Sequence, residues 1–135
     1  MTARFSIPIT AMPADIDELG HVSNLVYVRW VFEVAMAHTR AVGWNYEQYR
    51  ELGSIFVVRR HEIDYVASVT VGQAIVATTW VESFRAASCI RKTELTRDGV
   101  VVSRAASTWA FLSLGNGRPQ RIPEHLVTLF TRPVA

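Results

Sequence analysis

The sequence predicts an α+β fold in which an antiparallel sheet of about five strands wraps around one long central helix. Three observations predict it. Residues 25–42 form an almost wholly apolar stretch without Gly or Pro. After Gly53 come four segments rich in Val, Ile, Thr, Trp and Phe, at 55–65, 74–84, 88–96 and 100–114, a composition that favours strands. Two of these flank Asp98-Gly99, a pair suited to a two-residue hairpin turn with positive φ. A run of strands after a helix points to antiparallel pairing.

Each element follows in order. Residues 4–9 alternate as a first short strand, and Pro13 marks a break after it. Ser23 or Asn24 can cap the long helix, which starts at about Asn24 or Leu25. At about 1.5 Å per residue the helix spans roughly 27 Å. Arg29, Glu33, His38 and Arg40 interrupt its apolar surface. A helix apolar nearly all round requires cover on every side, which a curled sheet supplies. Gly43 suits the position just past the helix end. Residues 46–52 can form a short helix before Gly53, 71–73 a turn, and 115–119 a surface loop. Pro123 is placed to open a final short helix over 123–130.

Composition narrows the function classes. A chain of 135 residues is expected to form one domain over 1–135 with a modest core, for which association into a homodimer or homotetramer is an expected remedy. It is 50% hydrophobic and 19% charged, too apolar for disorder. The net charge is only +2 and its basic residues are scattered, which argues against nucleic acid. The pI near 9.0 leaves room for an anionic small ligand. The single Cys89 excludes an internal disulfide framework and a cysteine-rich metal site. No metal-ligand spacing, Gly-rich phosphate loop or nucleophile-elbow serine is present. No leader pattern and no apolar run of about 18 residues occurs, so no membrane partner and a cytoplasmic location are expected.

The most informative stretch is 15–38. There a polar loop containing Asp15, Asp17, Glu18, Gly20, His21 and Asn24 runs straight into the apolar helix. Free backbone N–H groups at a helix start can stabilise an oxyanion, and a nearby carboxylate can attack a carbonyl or activate water.

Asp17-Glu18-Leu19-Gly20-His21-Val22-Ser23-Asn24 followed by Tyr27 resembles the Asp-x-x-Gly-His-Val-Asn-Asn-x-x-Tyr signature of hotdog-fold acyl-CoA thioesterases, the 4-hydroxybenzoyl-CoA thioesterase-like family. Residues 57–65, the Gly72 turn, 104–109 and 117–123 resemble later parts of the same family. Two positions depart from its pattern. Ser23 replaces the first Asn, and Gln73 stands where Asp is frequent.

The resemblance implies a single hotdog domain that hydrolyses an acyl-CoA or acyl-carrier-protein thioester. It implies no cofactor beyond the coenzyme A of the substrate and no metal. It also implies sheets joined edge to edge, with active sites between subunits. It makes Asp17 the nucleophile or general base and places an oxyanion-binding N–H at about Asn24. His21 is a candidate for orienting the loop or assisting proton transfer. The alternative is a non-catalytic acyl or small-ligand binding protein on the same fold. A hydratase on this fold is less favoured, because its Asp-x-Asn-Pro-x-His pattern is absent.

Other residues carry blander expectations. Asp15 reads as a solvated loop residue. Tyr27 and Trp30 read as core or acyl-pocket wall, and Trp30, Phe32, Phe56 and Trp80 are the residues expected to set pocket length. Glu33 and His38 read as a satisfied pair or a subunit contact. His61 and Glu62 read as a solvated strand face, with an active-site role across a dimer as the alternative. Arg59, Arg60, Arg85, Arg91 and Lys92 are candidates for coenzyme A phosphates, each otherwise a surface charge.

Overall fold

The computed structural model describes residues 2–134. Strand β1 (Phe5–Thr10) precedes a single 3-10 turn at Pro13–Asp15, the long helix α1 (Asn24–Ala41) and the short helix α2 (Tyr46–Leu52). Four strands follow: β2 (Ser54–Tyr65), β3 (Ala74–Phe84), β4 (Ser88–Arg97) and β5 (Val100–Ser113). Helix α3 (Glu124–Thr131) ends the fold. One five-stranded sheet has the order β1-β3-β4-β5-β2, and every neighbouring pair is antiparallel. The sequence placed these elements to within about two residues. Only the 3-10 turn was missed, since Pro13 read as a plain break.

Local chemistry explains the boundaries. Ser23 caps α1, its Oγ accepting the Leu25 N–H at 3.2 Å, so the Ser-for-Asn departure keeps the cap. Asn45 stands before α2, and its N–H donates to Gln48 Oε1 at 2.8 Å. Asp98 and Gly99 take φ of 52° and 78°, the left-handed pair that closes the β4–β5 hairpin. Pro123 sits at the N-cap of α3 rather than at its first helical position.

The core has two parts, one along each half of α1. Around the first half, Val26, Tyr27, Trp30 and Val34 pack with Ile75, Leu95 and Val102 of the sheet. Around the second half, Ala35 meets Val81, Trp109 and Phe111 of the sheet and Leu126 and Phe130 of α3. The sheet does not cover α1 on every side. Leu25, Arg29, Glu33, Met36 and Arg40 form an exposed stripe, and Leu25 is 79% exposed. The expectation of complete cover is therefore corrected. A single sheet curls around part of the helix, and the line from Leu25 to Arg40 is left open within one chain.

Glu33 and His38 are not partners. Glu33 is exposed and pairs with Arg29 Nε at 3.2 Å, one turn earlier. His38 is buried at 1% exposure, stacks on Phe5 with ring centroids 5.1 Å apart, and accepts from Arg91 Nη1 through Nδ1 at 3.1 Å. Burial first, and the Arg91 charge second, hold its pKa down at about 4. The ring is neutral at pH 7, which leaves Nδ1 free to accept. His61 is also held below the usual histidine value by burial.

Two outcomes follow for stability. Trp30 is 1% exposed, so Trp30→Ala should lower the unfolding free energy by about 3–5 kcal/mol. Val71→Ala, at an exposed turn, should change it by no more than about 0.5 kcal/mol. Urea denaturation reads both. The histidines set an acid limit. Unfolded His38 takes up a proton near pH 6.5, whereas folded His38 resists until about pH 4. Its contribution is therefore complete above pH 6.5 and is lost as pH falls from 6.5 towards 4, by on the order of 3 kcal/mol, with His61 acting in the same direction. Denaturation midpoints across that range should fall for the wild type and flatten for His38→Gln.

Candidate active site

The loop before α1 is clamped at its base. Ile16 and Val22 form an isolated antiparallel bridge, and the Asp17 N–H donates to the His21 carbonyl at 2.8 Å. Gly20, with φ 82°, makes the reversal, and its N–H returns to the Asp17 carbonyl at 3.0 Å. The Asp17 carboxylate folds over its own turn, Oδ1 accepting the Leu19 N–H at 2.9 Å. This hydrogen-bond pattern makes Asp17 and His21 backbone neighbours. Both side chains are exposed.

The two aspartates have opposite roles. Asp15 is buried at 4% exposure, which corrects its reading as a solvated residue. Its Oδ2 accepts the Met12 N–H at 2.9 Å, and its Oδ1 pairs with Arg29 Nη2 at 2.7 Å. Burial alone would raise its pKa, but the Met12 N–H and the Arg29 guanidinium outweigh burial and hold it below the usual value. The Asp15 carbonyl takes the Ser23 N–H at 2.9 Å. Asp15 thus fastens the loop to α1 from both ends, while Asp17 keeps a carboxylate in the open.

The helix start lies immediately after this loop. Leu25 and Val26 direct their N–H groups to Ser23. The Asn24 N–H has no acceptor among the described residues. Tyr65 Oη reaches the Asn24 carbonyl at 3.4 Å, and Tyr27, in edge contact with Tyr65 at 5.3 Å, donates to the Ala67 carbonyl at 3.1 Å. Tyr27 and Trp30 are core residues here, as expected for one of their two readings.

A cavity of about 320 Å³ lies elsewhere. Its α1 residues begin at Phe32, about 12 Å along the axis from Asn24 at 1.5 Å per residue. Asp17, His21 and Asn24 do not line it. Of the four aromatics expected to set pocket length, Phe32 and Phe56 are in its wall. Trp30 belongs to the other half of the core, and Trp80 lies under the Arg4 guanidinium, 3.7 Å from its ring centre.

The remaining candidates divide. His61 turns inward, its Nδ1 on Ser107 Oγ at 2.8 Å and its ring 5.1 Å from that of Phe32. The solvated reading holds for Glu62 alone, which pairs with Arg60 at 2.7 Å. Lys92 pairs with Glu82 at 3.8 Å. Arg59 and Arg85 are exposed. Arg91 is buried at 6% exposure in the cavity wall, so it is neither a surface charge nor open to a coenzyme A phosphate at the surface. Its parity with Cys89, Thr93 and Leu95 along β4, all buried, was the signal that could have found it.

Comparison with known proteins identifies the family and the fold. A family profile described as the thioesterase-like superfamily matches residues 12–130. The chain is 23% identical over 127 residues to the acyl-CoA thioesterase YbgC of Haemophilus influenzae, covering 93% of each. It is similar in structure to a 1,4-dihydroxy-2-naphthoyl-CoA thioesterase from Synechocystis, with TM-score 0.86, 14% identity and 95% and 96% of the two chains covered. A Staphylococcus aureus protein solved in complex with CoA gives TM-score 0.87 at 14% identity, covering 100% of this chain and 89% of that one. With 119 of its residues inside the family match, from 12 to 130, this hotdog-fold chain belongs to the thioesterase-like superfamily.

Proposed function

We propose that the protein hydrolyses acyl-CoA thioesters, with Asp17 as the attacking or water-activating carboxylate. The observation that carries this reading is the pairing of an exposed Asp17 carboxylate, on a loop clamped at both ends, with an unused Asn24 N–H at the helix start. A thioester carbonyl oxygen accepting that N–H would meet the positive end of α1 as it becomes an oxyanion. Asp17 then adds to the carbonyl carbon and expels the thiolate, leaving an acyl anhydride that water cleaves. Alternatively it takes a proton from water as the water adds, and that proton leaves with the thiol. His21 holds the loop through its carbonyl, and in this reading its exposed ring contacts substrate or assists proton transfer. The likeness to an acyl-CoA thioesterase and to a protein solved in complex with CoA supports coenzyme A as the carrier; an acyl-carrier protein presents the same thioester and is the second candidate.

The site is open within one chain, and this favours a homodimer that covers it. The β2 edge, 12 residues long, ends the sheet unpaired, and free edges of that length attract a partner strand. Leu19, Leu25 and Tyr65 are exposed near the helix start at 77%, 79% and 44%. Joining two β2 edges would extend the sheet and bring a second chain towards this end of α1; a homotetramer would pair two such dimers.

The experiment follows thiol release from short, long and aromatic acyl-CoAs. Asp17→Asn should lose on the order of 10²–10⁴-fold in kcat with its melting temperature unchanged. Asp15→Asn should retain more activity but melt lower, because it weakens a buried charge contact. Activity lost with Asp15→Asn at full stability would shift the role to Asp15. Activity indifferent to both would remove the carboxylate mechanism, and ligand binding without any hydrolysis would favour the non-catalytic alternative. Sedimentation at micromolar concentration should show a dimer or tetramer; a stable monomer counts against the shared site.

A further inference from the structure

The cavity at the far end of α1 contains a charge that the hydrolytic reading does not use. Its walls are apolar, with Phe32, Ile55, Phe56, Trp109 and Phe130 among them. Arg91 is the cationic side chain in that lining. No carboxylate lies within ion-pair distance of Arg91 among the described residues. Nη1 alone donates, to His38 Nδ1 at 3.1 Å and Thr79 Oγ1 at 3.2 Å. Nε and Nη2 have no acceptor among the described residues.

A buried guanidinium without a counter-anion is costly, and proteins seldom retain one without a compensating partner. The surroundings hold it in place without neutralising it. His38 and Thr79 are neutral acceptors that position one edge of the fork. Phe130 lies 5.9 Å from Cζ, within the range of a weak cation–π contact. Tyr49 and Cys89, the titratable neighbours in the same wall, are pushed up by burial, Cys89 to about 11, and stay protonated at pH 7. Arg91 itself, although burial draws it down to about 10, stays charged. The free side of the fork is therefore a prepared donor pair, the geometry that a carboxylate meets with two oxygens.

We propose that this cavity binds an apolar organic acid, its body against the aromatic wall and its carboxylate on the free edge of Arg91. The volume, about 320 Å³, falls at the lower end of the range for small-molecule sites, about 300–1,000 Å³. Exposed Met36 and Tyr46 belong to the lining and mark the way in between α1 and α2. A free carboxylic acid and the distal end of an ω-carboxyacyl thioester share this chemistry. The site stands apart from Asp17 and does not depend on hydrolysis.

Isothermal titration of the purified wild-type protein with octanoate and with 1-octanol tests it without any variant. Octanoate should bind at least about tenfold more tightly, as a charge-assisted hydrogen-bonded pair requires. Trp fluorescence should change on binding, since Trp109 is in the wall. Arg91→Met, which keeps the side-chain bulk and removes the charge, should bind the acid and the alcohol alike, with folding checked by thermal melting. Arg91→Lys should keep a preference for the acid. Equal binding of acid and alcohol by the wild type, binding of neither, or an acid preference surviving in folded Arg91→Met each overturns the proposal. Suberoyl-CoA compared with octanoyl-CoA then separates the sources. A preference in kcat/KM for suberoyl-CoA that is lost in Arg91→Met identifies the distal end of a substrate, and its absence alongside octanoate binding identifies a free acid. Because the titration needs no turnover, it can succeed where hydrolysis fails and fail where hydrolysis succeeds.

Discussion

Helix α1 must hide a nearly continuous apolar surface, and the sheet must curl to do so. That requirement organises the rest of the chain. The strands alternate so that one side packs on the helix, as in β4, where Cys89, Arg91, Thr93 and Leu95 point inward and their neighbours outward. β1 and β3 lie on one flank and β5 and β2 on the other. α3 closes the far end through Leu126 and Phe130. Because the helix emerges whole from the loop at Ser23, its first N–H groups stand at the rim of the core rather than inside it. Burying the helix body is thus what presents the helix start.

The loop before it gives two similar residues opposite surroundings. Asp15 and Asp17 are two positions apart, yet one is buried and bonded to Met12 and Arg29 while the other is exposed and bonded to its own turn. The local backbone makes that difference: Asp15 ends the 3-10 turn at Pro13–Asp15, whereas Asp17 lies beyond the Ile16–Val22 bridge and opens the turn that Gly20 closes; plain extended chain would have put both on one face. Asp15 supplies the rigidity; Asp17 leaves a carboxylate open to solvent, which is what the proposed hydrolysis requires of it. A carboxylate already tied into two strong contacts would have to break them before accepting a proton or attacking a carbon.

Much of this was legible in the sequence, and the failures share a cause. Periodicity and turn residues located α1, α2, the strands and the Asp98-Gly99 hairpin, because each depends on local preference. The family signature pointed to Asp17, His21 and Asn24, and the structure puts Asp17 beside His21 and Asn24 at the helix start. What escaped was any property set by distant partners. Asp15 looked solvated because Arg29, which pairs with it, lies a full turn into the helix. His38 and Glu33 read as a pair or a subunit contact because the sequence shows only neighbours along the same helix, whereas the partner of His38, Arg91, is 53 residues away. The open stripe on α1 was missed because apolar content alone does not reveal how far a single sheet can reach around a helix.

The two halves of α1 consequently face different chemistry. The first half rests on aliphatic and aromatic groups, and the Tyr27 hydroxyl there is satisfied by backbone, donating to the Ala67 carbonyl. The second half encloses space, and Arg91 in its wall is joined to His38 and Thr79 outside that lining as a connected set. A void with apolar walls would lose dispersion contacts and be under pressure to collapse. A charge in its wall opposes collapse, because closing the void would strip the guanidinium of its remaining access to an acceptor. The neutral state of His38 is part of the same arrangement, since a protonated ring could not accept from Nη1 and would repel it. The cavity and the buried cation therefore sustain each other, which is the physical reason for treating them as one site.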